Sequence, residues 1–280
     1  MTPVAVGLSL AFLSALATAW AHAMLKAGAD KLAVQAWVRL TGLSVALPIA
    51  LFIGLPPNNL WPWIIGGAAI HGVYQAALVW SYSVSDFSVA YPVARGVTPI
   101  LTALLGMAVL GDEVDWRVMA GVLIVSVGII SISRNNAISR SGLVAASIAG
   151  LLTTLYTVVD ARGVRLAPYA LTFIAWFYVA DGLSMPMLLL VKARGRTLSL
   201  LVADRRTGLM AGILSMLAFV PALFAFDLAP VGAVAAIRET SVIISLALGG
   251  FLLKEKLDRR RAAGAVLVTL GALAIIIGTT

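Results

Sequence analysis

Cysteine is absent from this chain of 280 residues, histidine occurs only twice, and only 11% of the residues are charged. The absence of cysteine excludes disulfide bonds and thiolate metal sites. A soluble domain has about 25% charged and roughly 45–50% apolar residues, whereas 61% of this chain is hydrophobic and its mean hydropathy is +1.02. The scarcity of charge therefore indicates an integral membrane protein.

Long polar connections are also missing. The longest, Lys192 to Arg206, has fifteen residues, which is too short for a soluble catalytic domain. Ten apolar stretches occupy most of the remainder: residues 6–25, 34–54, 61–82, 87–110, 117–133, 142–160, 168–191, 207–227, 231–253 and 262–279. Each is close to the roughly 20 residues that a helix needs to cross about 30 Å of hydrocarbon, and none alternates as barrel strands do. We expect an all-α polytopic membrane protein with ten transmembrane helices. The first stretch has no basic segment before it, so we interpret it as the first helix and not as a cleaved signal.

One segment of the chain occurs twice. The sequence AYPVARGVTPILTALLGMAVLGDEV aligns without a gap on AVAAIRETSVIISLALGGFLLKEKL, 143 residues further on. Arg95 falls on Arg238, and Asp112 falls on Glu255. An arginine in apolar sequence is costly in a membrane. Because this cost recurs at equivalent positions, the pattern favours a two-fold site between the two halves.

Basic residues are distributed unevenly among the connections. Those after helices 1, 5, 7 and 9 contain fourteen lysines and arginines, whereas the opposite side contains Arg117, Arg162 and Arg165. Cytoplasmic loops are enriched in these residues, so the count predicts that both termini are periplasmic. The connection GDEVDWR has a net charge of −2 and its copy KEKLDRRR has +3. We therefore predict two inverted five-helix repeats, residues 1–135 and 141–280, with a substrate site near the midplane.

The duplicated motif, the length and the ten predicted helices resemble the EamA module of the drug/metabolite transporter superfamily over essentially the whole chain. The resemblance implies a basket of ten helices around a central cavity, worked by alternating access. The YddG-like amino acid exporters have this shape, and plastid relatives use basic residues on helices 4 and 9 to hold phosphate. The positions of Arg95 and Arg238 are similar to that placement.

Arg95 and Arg238 are the leading candidates for substrate binding. Intramembrane arginines mark functional sites by default, and a guanidinium grips a carboxylate or phosphate through two parallel hydrogen bonds. A structural alternative is that Arg238 pairs with the adjacent Glu239, and that Arg95 pairs with Asp181 or Asp160. The sequence leaves both interpretations open.

The other candidate binding residues share a helix face with these arginines or lie on helices expected around the cavity. Tyr91 and Thr98 follow the spacing of Arg95, and Ser241 follows Arg238 at three residues. Helices 1, 3, 6, 7 and 8 supply aromatic or polar side chains that suit an amphipathic ligand, although helix packing uses the same types: Trp20, His22, Tyr74, Gln75, Leu78, Tyr82, Tyr156, Trp176 and Phe219.

Four residues are candidates for carrying a proton or for forming an ion pair: His71, Asp160, Asp181 and Glu239. Histidine titrates near neutral pH, but the sequence shows no acid beside His71. No nucleotide-binding, zinc or catalytic-triad motif occurs. We therefore expect no enzyme activity, no catalytic residues, no metal and no cofactor.

These features favour a secondary transporter of small amphipathic metabolites, most of all an exporter of aromatic and other neutral amino acids. An organic-anion carrier for phosphonates or phosphorylated metabolites is the first alternative. A membrane-embedded enzyme and a purely structural membrane protein are remote alternatives. The expected partners are a small-molecule substrate and the lipid bilayer of the bacterial inner membrane, with no nucleic acid, and the chain is expected to act as a monomer.

Overall fold

The computed structural model describes residues 2–84, 87–132, 140–244 and 259–279. Within these ranges, only the backbone is described for residues 22, 23, 26, 27, 78, 79, 81–84, 87–94, 140, 142, 143, 145 and 146. All regular structure in the described residues is helical. The prediction of an all-helical protein is therefore confirmed at this level.

Twelve helices follow one another along the described chain. They are α1 Pro3–Ala27, α2 Lys31–Ile53, α3 Trp61–Val84, α4 Phe87–Leu105, α5 Trp116–Ile132, α6 Arg140–Leu166, α7 Ala170–Asp181, α8 Ser184–Ala193, α9 Thr197–Ala203, α10 Arg205–Leu228, α11 Val231–Arg238 and α12 Arg259–Thr279. A short 3-10 turn, Asn58–Leu60, precedes α3, and a π-helical turn, Gly106–Leu110, extends α4.

Side chains at the helix ends explain where the first two helices begin. The hydroxyl of Thr2 accepts a hydrogen bond from the amide of Ala5 at 3.2 Å. The carboxylate of Asp30 accepts from the amides of Leu32 and Ala33 at 2.9 Å each. Both residues satisfy amides that have no partner within their own helix. Helix α2 then ends at Gly54, whose φ of 89° suits glycine.

Two of the predicted helices are interrupted. The predicted helix 168–191 consists of α7 and α8, which are separated at Gly182 and Leu183. The predicted helix 231–253 begins with α11, which ends at Arg238, and a turn at Glu239 and Thr240 follows before helical structure resumes at residues 241–244. Apolar residues precede and follow each break, so hydropathy alone did not indicate either interruption.

The outer surface of the bundle is apolar. Leu51, Phe52, Ile65 and Ile277 are exposed large side chains on three different helices, as is expected where a bundle meets lipid. Among the described residues, five segments are long and apolar enough to cross a membrane: Pro3–Ala21, Lys31–Ile53, Ala170–Ala193, Arg205–Leu228 and Arg259–Thr279. The segments Arg95–Leu110 and Trp116–Ile132 are shorter apolar helices. The chain is thus a helical membrane protein with several spans.

Helices α5 and α12 pack closely through glycine. A Cβ atom on Gly121 would lie 2.7 Å from the carbonyl oxygen of Gly271, and one on Gly128 would lie 2.9 Å from that of Gly264. Small residues allow such an approach where lipid supplies no hydrophobic drive. The order of the contacts makes the two helices antiparallel, because the earlier glycine of α5 meets the later glycine of α12.

The remaining helix contacts come in matched sets. Helix α1 packs on α10 and α11, while α6 packs on α3 and α4. Helix α2 contacts α10 and α7, and α7 in turn contacts α3. If α1, α2, α3 and α4 are exchanged with α6, α7, α10 and α11, in that order, each of these contacts becomes another contact of the same set. The helices that carry Arg95 and Arg238, α4 and α11, also touch each other.

Candidate functional site

Arg95 forms an ion pair that joins the two halves of the chain. Its Nη1 donates to Oε1 of Glu239 at 2.8 Å, and the two side chains are 9% and 2% exposed. Helix α4 supplies the arginine, and the turn that follows α11 supplies the acid. The sequence had left Glu239 as a partner for Arg238 and either Asp160 or Asp181 as a partner for Arg95. Those pairings are wrong, because Glu239 faces α4.

Arg238 has a different environment from Arg95. Its Nε donates to the hydroxyl oxygen of Ser14 at 2.9 Å, and that hydroxyl donates in turn to the carbonyl of Ala218. The guanidinium carbon lies 5.9 Å from the centre of the Phe219 ring, within cation–π range. No carboxylate among the described residues pairs with Arg238, which is half-buried. Both contacts are with uncharged groups.

Aromatic rings from three helices meet beside Arg238. The ring of Tyr156 lies 5.2 Å from that of Tyr74 and 6.3 Å from that of Phe219, between centroids. The imidazole of His71 is 4.1 Å from the Tyr156 ring and 5.1 Å from the Phe219 ring. Tyr74 and Tyr156 are buried. These rings form an apolar wall that ends at the guanidinium.

His71 has an acid partner that the sequence did not reveal. Its Nε2 lies 2.8 Å from Oδ2 of Asp160, and the two side chains are 5% and 0% exposed. Helix α6 continues past this point to Leu166, so Asp160 is inside the helix and faces α3. Oδ1 of Asp160 accepts no hydrogen bond from the described residues.

Asp181 pairs with Arg39 and not with Arg95, the partner that the sequence had suggested. Nη1 of Arg39 lies 2.6 Å from Oδ2 of Asp181, with both side chains buried. The pair joins α2 to the end of α7, where Ser184 donates to the Asp181 backbone carbonyl at 2.7 Å. Arg39 is therefore directed toward α7 inside the bundle.

A fourth acid ties three helix ends together at one end of the bundle. Oδ1 of Asp112 accepts from Nη1 of Arg165 at 2.6 Å, and Oδ2 accepts from the amide of Val231 at 2.7 Å. Arg165 also donates to the carbonyls of Phe226 and Ala229. An anionic side chain at a helix N-terminus is favourable. We call these three residues, Asp112, Arg165 and Val231, the Asp112 clamp.

The remaining predicted site residues are scattered. Trp20 is 42% exposed, and the Trp176 indole donates to the carbonyl of Gly54 at 2.8 Å. Thr98 and Ser241 are buried on α4 and after α11, and Gln75 is half-buried on α3. The side chains of His22, Leu78, Tyr82 and Tyr91 lie outside the described residues. Their roles therefore stay predictions.

Two tryptophans in similar segments of the sequence were not among the predicted paired positions. Trp37 and Trp176 are 139 residues apart, in helices that begin at Lys31 and Ala170. The Trp37 indole donates to the carbonyl of Leu201 at 2.8 Å, in α9, the short helix that follows α7 and α8. The Trp176 indole donates to the connection that follows α2. Each tryptophan thus binds a segment that follows the helix of the other tryptophan. An alignment of AVQAWVRL with TFIAWFYV identifies the pair in the sequence.

An apolar cavity of about 540 Å³ lies between α1, the stretch after α11 and α12. Leu8, Phe12, Ile237, Thr240 and Leu273 are among its lining residues. None of the predicted site residues that the structure describes belongs to this lining. In the same described ranges, no group of three or more acids and histidines is placed to hold a metal ion.

Charged residues buried inside a helical membrane bundle mark functional sites, among them solute and ion pathways. The chain belongs to the EamA-like transporter family, whose model matches residues 1–134 and 140–277. One solved crystal structure, described only as that of a protein, is similar over 99% of this chain and 99% of its own, with a TM-score of 0.75 and 18% identity. That likeness concerns the fold alone. No curated protein matches the chain.

Proposed function

We propose that this transporter exports neutral amino acids, including aromatic ones, across the bacterial inner membrane by alternating access. The observation that most supports this proposal is that Arg238 has no acid partner among the described residues. Its contacts among the described residues are the Ser14 hydroxyl and the Phe219 ring, which carry no charge. A guanidinium binds a carboxylate through two parallel hydrogen bonds. The carboxylate of the substrate supplies the negative charge that Arg238 needs.

Glu239 offers the complementary charge one residue away. Its Oε1 binds Arg95, whereas its Oε2 accepts no hydrogen bond from the described residues. The α-ammonium of an amino acid binds Oε2 while its carboxylate binds Arg238. A zwitterion satisfies both residues, because each of its charges meets an opposite one.

Phosphonates and phosphorylated metabolites suit these residues less well. They carry up to two negative charges, and a phosphoryl group is usually held by several cations. In the described cluster, Arg95 is already paired with Glu239, which leaves Arg238 as the arginine without an acid. Glu239 would also repel a second negative charge placed beside Arg238.

The apolar part of the substrate packs against the aromatic wall of Tyr74, Tyr156 and Phe219. These rings approach one another at 5.2 and 6.3 Å, and Phe219 already contacts the guanidinium. Aromatic side chains bind other rings by edge or offset contacts, and aliphatic side chains by area. The site therefore accepts a range of apolar side chains.

Alternating access requires two related halves, and several contacts support ten spans in two inverted repeats. Helices α5 and α12, which are equivalent in the duplicated motif, cross antiparallel at Gly121 and Gly128. Two helices related by a two-fold axis run antiparallel only when that axis is perpendicular to them, which inverts the second repeat. Trp37 and Trp176 exchange partners in the same way.

The Asp112 clamp is suited to closing one end of the substrate path. Asp112 and Arg165 come from different repeats, and the Val231 amide begins the helix that carries Arg238. Opening at this end requires the carboxylate to release both donors. The excess of basic residues in the opposite connections supports a periplasmic position for the clamp and for both termini.

A counterflow experiment tests the proposed substrate. Proteoliposomes preloaded with unlabelled L-phenylalanine should take up labelled L-phenylalanine, and external neutral amino acids should compete with it. Phosphonoacetate and sugar phosphates should compete poorly. Competition by phosphonates and not by amino acids would replace the proposal with an organic-anion carrier. The matched control is the Arg238→Gln variant, which should lose exchange while it inserts normally.

The topology is testable because the chain has no cysteine. A single cysteine added after Thr280, or before Met1, should react with an impermeant thiol reagent in whole cells. The same cysteine placed next to Arg260 should react only after lysis. The reverse pattern would place the termini in the cytoplasm and the Asp112 clamp on the inner side.

A further inference from the structure

We infer that His71 and Asp160 form a proton-binding site whose occupancy is linked to substrate binding at Arg238. The inference rests on the proposed function, which makes no use of this pair. Nε2 of His71 and Oδ2 of Asp160 are 2.8 Å apart between α3 and α6, and both side chains are buried. The site would bind a proton at the pair, separately from the groups that hold the substrate.

Among the acids of the described residues that pair with a basic side chain, Asp160 is distinguished by its partner. Asp112, Asp181 and Glu239 each face an arginine. Arginine stays protonated at every physiological pH, whereas an imidazole changes its charge between about pH 5 and 8. The other three pairs therefore keep a constant charge. The pair of His71 and Asp160 is therefore the one whose charge can change by one proton.

The surroundings of Asp160 make the protonation state consequential. Its Oδ1 accepts no hydrogen bond from the described residues, and a Cβ atom on Gly67 would lie 2.8 Å away from that oxygen. When the pair loses its proton, a carboxylate is left in an apolar site without a cation beside it, which is costly. The proton is therefore held until another positive charge acts on the pair.

Arg238 is the group that changes this balance. Phe219 touches both the His71 ring, at 5.1 Å, and the guanidinium, at 5.9 Å. An empty Arg238 presents a positive charge to the pair and favours release of the proton. A carboxylate bound to Arg238 cancels that charge and favours the protonated pair. Because linkage is reciprocal, protonation must strengthen binding of the carboxylate.

Other charged and titratable groups on the neighbouring helices interact with Asp160 or with Tyr156, the tyrosine beside the pair. They are Tyr74 on α3, Tyr156 on α6, Tyr178 and Asp181 on α7, and Arg95 on α4. Asp181 is neutralised by Arg39 from α2, and Arg95 by Glu239. Helix α10 contributes Phe219, which carries no charge. The substrate's ammonium binds Glu239, which is not among the charges that act on Asp160, whereas Arg238 is among them. Cancellation of the Arg238 charge by the carboxylate is therefore the change that the pair experiences on substrate binding.

Binding of L-phenylalanine to the purified protein at a series of pH values tests the linkage. The dissociation constant should fall at least about fivefold between pH 8 and pH 5.5, the lower end of typical coupling between sites. His71→Gln keeps a hydrogen-bond donor toward Asp160 and stays neutral, so its dissociation constant should not vary with pH. Asp227→Asn removes an exposed carboxylate and should retain the wild-type slope. A constant that is independent of pH, that rises on acidification, or that varies equally in His71→Gln would overturn the inference.

A spectroscopic titration gives a result whether or not phenylalanine is a substrate. Only two histidines occur in the chain, so the imidazole signals of His22→Gln protein come from His71. These signals should titrate between pH 5 and 9, and the midpoint should move when Asp160→Asn is added. An imidazole that keeps one protonation state over this range, or a midpoint unaffected by Asp160→Asn, contradicts the site. Loss of phenylalanine exchange at constant pH would instead count against the proposed function.

Discussion

Arg95 and Arg238 occupy the same position of two related segments, yet one is neutralised and the other is not. Arg95 faces the carboxylate of Glu239 at 2.8 Å. Arg238 faces the hydroxyl of Ser14 at 2.9 Å and the ring of Phe219. The residue that follows Arg238 is Glu239, whereas the residue that follows Arg95 is Gly96. One acid is therefore available beside two arginines, and it pairs with the arginine of the opposite repeat.

The difference shows how a symmetric fold can hold an asymmetric site. A side chain in place of Gly96 would require Ile130 to shift, because a Cβ atom there would lie 2.5 Å from a side-chain carbon of Ile130. The first copy of the motif therefore has no acid at the position equivalent to Glu239. Equivalent positions of the duplicated motif thus hold one arginine paired with an acid and one without an acid among the described residues, which we propose as the ligand-binding arginine.

The largest effect is expected from removing the acid. Glu239→Gln leaves Arg95 buried without a counter-ion, and breaking a buried pair in this way costs about 3–5 kcal/mol. Thermal unfolding in detergent should show a marked loss of stability. The double variant Arg95→Met with Glu239→Met removes both charges and should regain most of it. A loss below about 1 kcal/mol in the single variant would mean that the pair is not buried as described.

Removal of the other arginine should affect transport and spare stability. Arg238→Gln loses a charged hydrogen bond to the substrate, which is worth about 1.5–3 kcal/mol, or about 10- to 100-fold in affinity. Its described partners keep no uncompensated charge, so the unfolding temperature should change little. Arg117→Gln, on the exposed surface, is the control for a lost positive charge. Equal losses of stability in Arg95→Gln and Arg238→Gln would abolish the distinction between the two residues.

A smaller effect is expected from the hydroxyl that holds Arg238. Ser14→Ala removes one hydrogen bond from the guanidinium, which is worth about 0.5–1.5 kcal/mol. Phenylalanine should bind roughly 2- to 10-fold more weakly, because the guanidinium loses part of its orientation. Ser9→Ala, an exposed serine on the same helix, should bind normally. The comparison of the two serine variants shows whether the position of Arg238 matters in addition to its charge.

The general architecture could be predicted from composition, because apolar stretches of spanning length and a duplicated motif are properties of the sequence itself. Helix ends such as Asp30 before α2 also have local signals. The breaks after Asp181 and after Arg238 were not predicted, although Asp181–Gly182 is a dipeptide typical of turns and residues 238–241 are polar. Both breaks also lie beside buried acids that pair across the bundle.

Several residues of the candidate site were identified from the sequence, but the acid that pairs with each base was not. Arg95, Arg238, Tyr74, Tyr156 and Phe219 were identified by charge or spacing, and the structure brings them close together. Which acid neutralises which base depends on distances across the bundle. Asp160 lies 89 residues from His71 along the chain, and Glu239 lies 144 residues from Arg95. Periodicity within one helix carries no information about such partners.

The most direct measurement of the central claim compares two ligands that differ only in the carboxylate. L-phenylalanine and phenethylamine share the ring and the ammonium group, and their affinities can be measured for the wild type and for Arg238→Gln. We predict that the substitution weakens L-phenylalanine at least about tenfold, which corresponds to about 1.4 kcal/mol, and leaves phenethylamine nearly unchanged. An equal loss for both ligands, or no loss for either, would contradict the assignment of Arg238 as the carboxylate-binding residue.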